Sequence, residues 1–253
     1  MTENFPDGTT IIRTGLPDQD LNIVFIFKPP KFTTDIVRSV REFFLDSNTN
    51  YEVVITKEAK EASIPIIRKL NLGVLRKEPG MFLDHLPDSS DGLPDHFEIL
   101  RVKDMDELSA FFRTMNAGFG SPPDSFDPFI EQTRRRWTNA RVLDTGDTVS
   151  FYLGYFHGRP VSTSLRFTTA HIAGIYAVST LEAFRRRGFG EAMVPRALIE
   201  GKLEESCTAS FLQASEMGRP IYERMGYRIL SEYEVWTEKI ASLAGRQRFH
   251  IQV

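Results

Sequence analysis

The sequence predicts a mixed α/β fold in two domains, and three observations support this prediction. Hydrophobic residues make up 41% and charged residues 26% of the 253 residues, as in ordinary globular proteins. Strand-like and helix-like patterns alternate along the chain. A stretch rich in Asp, Pro and Ser, DHLPDSSDGLPD at residues 84–95, has the composition of an exposed connection. We therefore predict domains at residues 1–95 and 96–240 and a C-terminal tail at 241–253.

The first domain reads as alternating strands and helices. A buried strand at Leu21–Phe27 precedes a helix whose apolar stripe includes Ile36, Val40 and Phe44. The pattern then predicts a strand at Tyr51–Thr56, a helix from Glu58 to Leu72 and a short strand at Met81–Leu83.

The second domain opens with a strand at Phe97–Val102 and a helix whose start is marked by a capping box, Asp104 with Glu107. A further helix is predicted from Phe126, Phe129, Ile130 and Trp137, with Arg134–Arg136 on a solvated face. The later elements are a hairpin of Val149–Phe156 and Val161–Phe167 turning at Gly158, a strand at Ile172–Val178, a helix bearing Met193, Val194, Ala197, Leu198 and Gly201, a strand at Ala209–Ala214, a short helix at Gly218–Met225 and closing strands at Tyr227–Thr237.

Charge and cysteine content exclude several classes of protein. The net charge of -3 and the pI of about 6.0 argue against a chain whose main task is to neutralise nucleic-acid phosphates. One cysteine, Cys207, cannot form an intramolecular disulfide, and the five histidines show no metal-ligand spacing, so we predict no metal. No leader or membrane span is recognisable. We expect a soluble, cytoplasmic protein, either a monomer or a homodimer.

The first chemical motif is Arg185, Gly188 and Gly190, an R-x-x-G-x-G run between an apolar strand and an amphipathic helix. A loop that enters a helix N-terminus points unpaired amides at one place, where the helix dipole favours an anion such as pyrophosphate. Glycines let that backbone approach closely. The alternative is a glycine-containing helix start with three solvated arginines.

The second motif, FLQASEMGRPIYERMGYR at residues 211–228, follows about thirty residues later. Together with IAGIYAVSTLEAFRRRGFGEAM at 172–193, it resembles the GNAT N-acetyltransferase superfamily in both motifs and in their order. The resemblance covers about Phe97 to Trp236. The first domain lacks R-x-x-G-x-G, although IIRKLNLGVLRKEPGMFLD echoes IYERMGYRILSEYEVW. The resemblance therefore implies the GNAT acyl-CoA N-acyltransferase fold in two GNAT-like halves, of which the first is degenerate and only the second has a complete cofactor motif.

The resemblance also implies a site for acetyl-coenzyme A. Backbone amides from Arg185 into Glu191 would hold the pyrophosphate, the pantetheine arm would lie between parted strands, and amides at Tyr176–Val178 would polarise the acetyl carbonyl. The implied cofactor-binding residues are Tyr176, Ala177, Val178, Arg185, Arg186, Arg187, Gly188, Phe189, Gly190, Glu191, Ser215 and Tyr222.

Tyr222 is the predicted catalytic residue, since it matches the family position that protonates the departing thiolate of coenzyme A. The alternative is a packed tyrosine with a structurally hydrogen-bonded hydroxyl. For the amine acceptor, Phe119, Phe126 and Gln213 are pocket candidates, against core packing for most of the phenylalanines before the hairpin. The strand at 172–178 has no carboxylate, and Glu182, Glu131 and His171 are the alternatives for a base, none of them assigned.

The sequence thus predicts acetyl transfer from acetyl-CoA to a primary amine by direct attack in a ternary complex. The competing hypothesis is a catalytically inactive CoA-binding or protein-interaction module. Nucleic-acid binding through Arg134–Arg136 and Arg185–Arg187 is disfavoured by the acidic chain. Cys207, which has no neighbouring histidine in sequence, is interpreted as structural rather than as an acyl carrier.

Overall fold

The structure is a computed structural model and describes residues 2–13, 22–45, 49–90, 92–128, 130–131 and 149–239. In chain order the strands are β1 (Thr2–Asn4), β2 (Thr10–Ile12), β3 (Ile23–Ile26), β4 (Glu52–Thr56), β5 (Leu72–Leu83), β6 (Phe97–Arg101), β7 (Val149–Phe156), β8 (Arg159–Thr169), β9 (Ile172–Thr180), β10 (Ala209–Gln213) and β11 (Arg228–Glu238). The helices are α1 (Thr33–Val40), α2 (Lys60–Lys69), α3 (Met105–Gly118), α4 (Phe189–Glu205) and α5 (Arg219–Arg224). The predicted α/β class is confirmed.

The chain divides into two compact units. Of the described residues, one unit comprises those up to Gly80 together with Ile229–Lys239, and the other comprises Met81–Arg228. The domain boundary between residues 95 and 96 stays a prediction. Strand β11 belongs to the first unit, where Tyr233 pairs with Thr56 and Trp236 with Val53 of β4. The predicted tail, Phe129 and the predicted helical residues Arg134–Trp137 lie outside the described residues.

The first unit is a mixed sheet with helices against it. Strands β1, β2 and β3 are antiparallel neighbours, β3 and β4 are parallel, and β4 and β11 are antiparallel. The predicted apolar stripe is buried: Ile36 and Val40 of α1 and Phe44 of the π-helical turn Arg41–Leu45 that follows it are all at 0% exposure. One prediction was wrong: α2 ends at Lys69, and the segment that follows it is the long strand β5, which begins at Leu72 rather than near Met81.

In the second unit the strands lie in the order β10, β9, β8, β7, β6. The hairpin of β7 and β8 turns at His157 and Gly158, whose positive φ angles of 49° and 73° match the right-handed twist of paired strands. The predicted N-cap is confirmed, since the Asp104 carboxylate accepts from the amides of Asp106 and Glu107 at 2.9 and 2.8 Å, while the Glu107 carboxylate accepts from the amide of Lys103 rather than from that of Asp104. Along β9, Ser179 contacts the end of α3 and Thr180 contacts Gly190 of α4. Because successive strand residues point to opposite faces, α3 and α4 cover opposite faces of this sheet.

Helix α4 packs its apolar face on the core of the second unit. The buried residues of α4 include Met193, Val194, Ala197, Leu198 and Gly201, as the sequence predicted. Gly201 is needed for packing, because a Cβ there would lie 3.0 Å from Cδ of Arg166. Arg166 is itself fully buried and donates to the Tyr152 hydroxyl and to the Ala197 carbonyl, at 2.6 and 2.9 Å, and to the Glu205 carboxylate. This network fixes the position of α4 on β7 and β8.

No helix among the described residues combines the length and the apolar character that crossing a bilayer requires.

Candidate active site

A cleft opens where two parallel strands of the second unit separate. Strands β9 and β10 pair only through Ile172, Ala173 and Gly174 of β9, although β9 continues to Thr180. The main chain of β9 beyond Gly174 is therefore not paired with β10. The cleft has a volume of about 1040 Å³. It is lined by Gly118, Phe119, Gly120, Val178, Ser179, Thr180, Glu182, Phe184, Arg185, Arg186, Gly188, Phe189, Gly190, Glu191, Ser215, Met217, Gly218, Ile221, Tyr222 and Arg224.

The turn between β9 and α4 has the geometry of an anion-binding loop. Arg186 and Gly188 both have left-handed backbone conformations, with φ of 61° and 80°. Alternating handedness of this kind turns successive amides toward one concave side. The first-turn amides of a helix have no partner within the helix, and no side chain caps α4. The positive end of the α4 dipole adds to this attraction for an anion.

The side chains of the three arginines in the motif lie in different environments. Arg185 donates to two main-chain carbonyls, from Nη2 to Gly118 at 2.7 Å and from Nε to Thr180 at 3.2 Å. Arg187 stacks its guanidinium over the rings of Phe156 and Phe184, each 5.5 Å from the ring centre. Arg186 is exposed and lines the cleft. Among the described residues, no side chain pairs with the guanidinium of Arg186, so this group can approach an anion bound in the cleft.

Strand β9 carries a bulge that the sequence did not reveal. Thr163 of β8 pairs with Ser179 and Leu165 pairs with Tyr176, so Ser164 faces two residues of β9. The extra residue is Ala177, which has φ of +51°. Its carbonyl accepts from the Thr163 hydroxyl at 2.8 Å, and that hydroxyl also lies 2.8 Å from the hydroxyl of Ser179. Of the predicted residues on this strand, Val178 lines the cleft, whereas Tyr176 and Ala177 are not among its lining residues.

Tyr222 lies on α5 with its side chain 8% exposed. Among the described residues no group forms a hydrogen bond with its hydroxyl, and burial raises the pKa of Tyr222 to about 12. Its neighbour Tyr227, 5.9 Å away between ring centres, differs because its hydroxyl lies 2.6 Å from that of Ser210. Tyr222 therefore presents a neutral, buried phenol to the cleft. The alternative of a structurally hydrogen-bonded hydroxyl describes Tyr227 instead.

The loop before α5 brings the second motif to the same cleft. Ser215 accepts a hydrogen bond from the Gly218 amide at 3.1 Å. A side chain at Gly218 would meet the Tyr222 ring, because a Cβ there would lie 3.0 Å from Cε2 of that ring. The sequence of this loop therefore places Ser215 and Tyr222 against the opening between β9 and β10.

The three acceptor-pocket candidates separate in the structure. Phe119 follows the end of α3 and lines the cleft. Phe126 is 5% exposed, its ring stacks on that of Phe112 with 5.1 Å between centres, and it is not among the lining residues. Gln213 ends β10 and is half-buried, outside the lining residues.

The candidate bases also differ in position. Glu182 lines the cleft, and Glu191 lines it while paired with Arg224 at 3.0 Å. His171 lies in the turn before β9, at the strand end opposite Thr180. Glu131 is exposed and is not among the lining residues. Within the described part of the chain, no three His, Cys, Asp or Glu side chains are grouped to hold a metal ion.

Sequence reasoning missed the side-chain role of Arg185 and the left-handed residues Arg186 and Ala177. An arginine or alanine at positive φ leaves no mark in composition or periodicity, since these residue types do not favour that conformation. The cleft residues Met217 and Ile221 were also missed. Both lie within the motif at residues 211–228, and their apolar side chains near Gly218 were the signal that could have placed them in the cleft.

Comparisons with known proteins place these features in a family. The sequence profile of the Acetyltransferase (GNAT) domain matches residues 100–230. Among curated proteins, none matches the chain. A GCN5-related N-acetyltransferase from Kribbella flavida has a similar structure, with a TM-score of 0.67, 15% identity, and coverage of 93% of this chain and 88% of that one.

Two further solved structures show the same fold. A GCN5-related N-acetyltransferase from Sphaerobacter thermophilus matches with a TM-score of 0.63 and 16% identity, covering 85% of this chain and 72% of its own. A tandem GNAT protein from the clavulanic acid biosynthesis pathway matches with a TM-score of 0.59 and 12% identity, covering 94% of this chain and 79% of its own. At such identities the likeness concerns the fold.

Proposed function

We propose that this chain, which belongs to the GNAT acetyltransferase family, transfers an acetyl group from acetyl-CoA to a primary amine by direct attack in a ternary complex. The observation that carries the proposal is a single cleft of the second unit that joins the left-handed turn at Arg186–Gly188 to the phenol of Tyr222. An anion site and an acid are thereby combined beside the part of β9 that is not paired with β10.

The residues of the turn fit the diphosphate of coenzyme A. Gly188 has φ of +80°, where a side chain adds strain, and no atom lies within 3.7 Å of where its Cβ would be. Gly190 would bring a Cβ to 3.2 Å from the Thr180 hydroxyl. The absence of a side chain at Gly188 therefore leaves the amides of the turn uncovered, whereas a Cβ at Gly190 would lie toward Thr180. Arg186 adds positive charge from a side chain that lines the same cleft.

The parted strands fit an extended ligand arm. Beyond Gly174, the main chain of β9 has no partner on β10, and Val178, Ser179 and Thr180 line the cleft. An extended segment can pair with such a strand edge through main-chain hydrogen bonds. We assign this edge to the pantetheine arm, with Ser215 and Tyr222 on the opposite wall.

Tyr222 is proposed as the general acid. Acetyl-CoA supplies an activated thioester, and transfer to an amine requires a proton at the departing sulfur. With its pKa raised to about 12, Tyr222 holds its proton throughout the physiological range. The side chain is largely buried, and no described side chain engages its hydroxyl, so the proton is available to a bound ligand. General acids of this kind contribute about 10²–10⁴-fold to rate.

The first unit is proposed to be a degenerate GNAT-like half. The two similar sequence segments fold alike: 66–84 covers the end of α2 and β5, while 221–236 covers most of α5 and β11. Each is a helix followed directly by a long strand. The first unit lacks the R-x-x-G-x-G motif, so we assign acetyl-CoA binding to the second unit alone.

The test combines binding with turnover. Isothermal titration with coenzyme A should give a saturable heat, and acetyl-CoA with a panel of primary amines should release free thiol. Tyr222→Phe should lower kcat by about 10²–10⁴-fold and leave the Kd for coenzyme A unchanged. It should not lower stability, because the hydroxyl it removes has no hydrogen-bond partner among the described residues.

Tyr227→Phe is the matched control. It removes a hydroxyl bonded to Ser210 and should cost about 1 kcal/mol of stability while leaving kcat near that of the wild type. Saturable binding without thiol release from any amine would favour the inactive CoA-binding module. Wild-type turnover by Tyr222→Phe would exclude the acid role.

A further inference from the structure

The end of α3 is tied to the turn before α4 by one side chain. Arg185 donates from Nη2 to the Gly118 carbonyl at 2.7 Å and from Nε to the Thr180 carbonyl at 3.2 Å. Gly118 is the last residue of α3, whose final carbonyls have no partner inside the helix. The guanidinium therefore joins three places: the end of α3, the end of β9 and the start of the turn.

The same end of α3 lies directly against β9. A Cβ at Gly118 would lie 2.6 Å from the Ser179 hydroxyl oxygen and 3.3 Å from the Thr180 amide nitrogen. Phe119 and Gly120, which follow Gly118, line the cleft. We refer to Gly118, Phe119 and Gly120 as the α3 wall. The α3 wall packs closely on β9 and also lines the cleft. A shift of Gly118 relative to Arg185 therefore changes the surface of the cleft.

The chemistry of the bridge requires arginine. A planar guanidinium can donate to two carbonyls in fixed directions at once, whereas a lysine ammonium on a flexible stem acts as a point charge. Positive charge beside the last carbonyl of a helix is also favoured by the helix dipole. Lysine at this position would keep the charge and lose the rigid two-carbonyl bridge.

We infer that Arg185 is a positioning residue that transmits occupancy of the turn to the α3 wall. The inference rests on the proposed function, because it requires coenzyme A at the turn amides. Once those amides are held by the diphosphate, the main chain of Arg185 is fixed and its guanidinium holds Gly118 in one place. A ligand that orders one element lowers the cost of ordering an element coupled to it, so an acceptor that contacts the wall binds more tightly after the cofactor.

Hydrogen exchange on the full-length chain tests this, with coenzyme A as the probe. In the wild type, saturating coenzyme A should slow amide exchange at residues 186–192 and at residues 116–121. We expect about fivefold or more at the second segment, the lower end of coupling between ligand sites. In Arg185→Lys the first segment should still respond and the second should not. Arg187→Lys, whose parent guanidinium stacks on Phe156 and Phe184, should respond like the wild type at both.

The outcomes separate this inference from the proposed function. No response at 186–192 in the wild type would remove the proposed cofactor site itself. A response at 186–192 without one at 116–121 would leave that site standing and overturn the coupling. Equal coenzyme-dependent slowing in Arg185→Lys and wild type, even with faster exchange in the free protein, would reduce Arg185 to a structural role. Should Arg185→Lys not fold, Arg185→Gln replaces it, and the wild-type result alone still decides whether coupling exists.

Discussion

Replacing Gly188 by alanine tests the geometry of the proposed cofactor turn most directly. Gly188 has φ of +80° and ψ of -2°, in the left-handed region. For an L-residue this conformation costs about 1–2 kcal/mol. Space is not the obstacle, because the nearest atom to an added Cβ is Cγ of Pro94 at 3.8 Å. The change therefore isolates backbone strain from steric overlap.

The strain divides between two measurable quantities. If the turn keeps its shape in Gly188→Ala, the free energy of unfolding falls by about 1–2 kcal/mol and the Kd for coenzyme A is unchanged. If the free turn relaxes, stability is kept and the ligand must restore the left-handed shape, which raises Kd by about 5–30-fold. In either case the losses in stability and in binding free energy should sum to about 1–2 kcal/mol.

Urea denaturation measures the loss of stability, and calorimetric titration with coenzyme A measures the loss of binding free energy. Gly190→Ala is the matched control, since Gly190 lies inside α4 with no positive φ and its Cβ would meet the Thr180 hydroxyl at 3.2 Å. Alanine should be nearly neutral there, because its better helix propensity offsets the contact. A sum near zero for Gly188→Ala, or equal losses for the two variants, would refute the argument from left-handed geometry.

Two further predictions concern stability. Arg166→Met should lower the free energy of unfolding, measured by urea denaturation, by about 3–5 kcal/mol, because it leaves the buried Glu205 carboxylate without its cation. Adding Glu205→Gln to this variant should restore part of the loss. Equal stability of the single and double variants would contradict this. Burial raises the pKa of Tyr152, Tyr222 and Tyr227, so the folded state favours their neutral phenols. The contribution of these phenols to the free energy of unfolding is fully present below the unfolded pKa of about 10 and is lost as pH rises above it. Unfolding free energies measured at pH 8, 10 and 11 should therefore fall across the last interval, and equal values would contradict the assigned burial.

Local signals in the sequence predicted local structure well. The Asp104 and Glu107 pair marks the start of α3, and the Glu107 carboxylate accepts from the Lys103 amide at 2.6 Å. Gly158 marks the hairpin, and the apolar spacing of α4 marks its buried face. Each of these depends on residues within a few positions of one another, so propensity and periodicity suffice.

Features that join distant parts of the chain could not be predicted in this way. The membership of β11 in the first unit depends on pairing between Tyr233 and Thr56, which no local pattern encodes. The role of the Arg185 side chain depends on where α3 ends in space. For the candidate site, the motifs predict the turn and Tyr222, whereas the contacts that distinguish Arg185 from Arg187 involve residues distant in sequence.

The arginine side chains can make different contacts because the turn presents main-chain groups to a ligand. Its proposed anion site consists of main-chain amides, which every residue except proline supplies. The constraint on sequence is therefore conformational and falls on Gly188, at φ of +80°. The arginine side chains are left free for other work: Arg185 holds two carbonyls and Arg187 covers two aromatic rings. A site built from backbone in this way can persist while the side chains around it change.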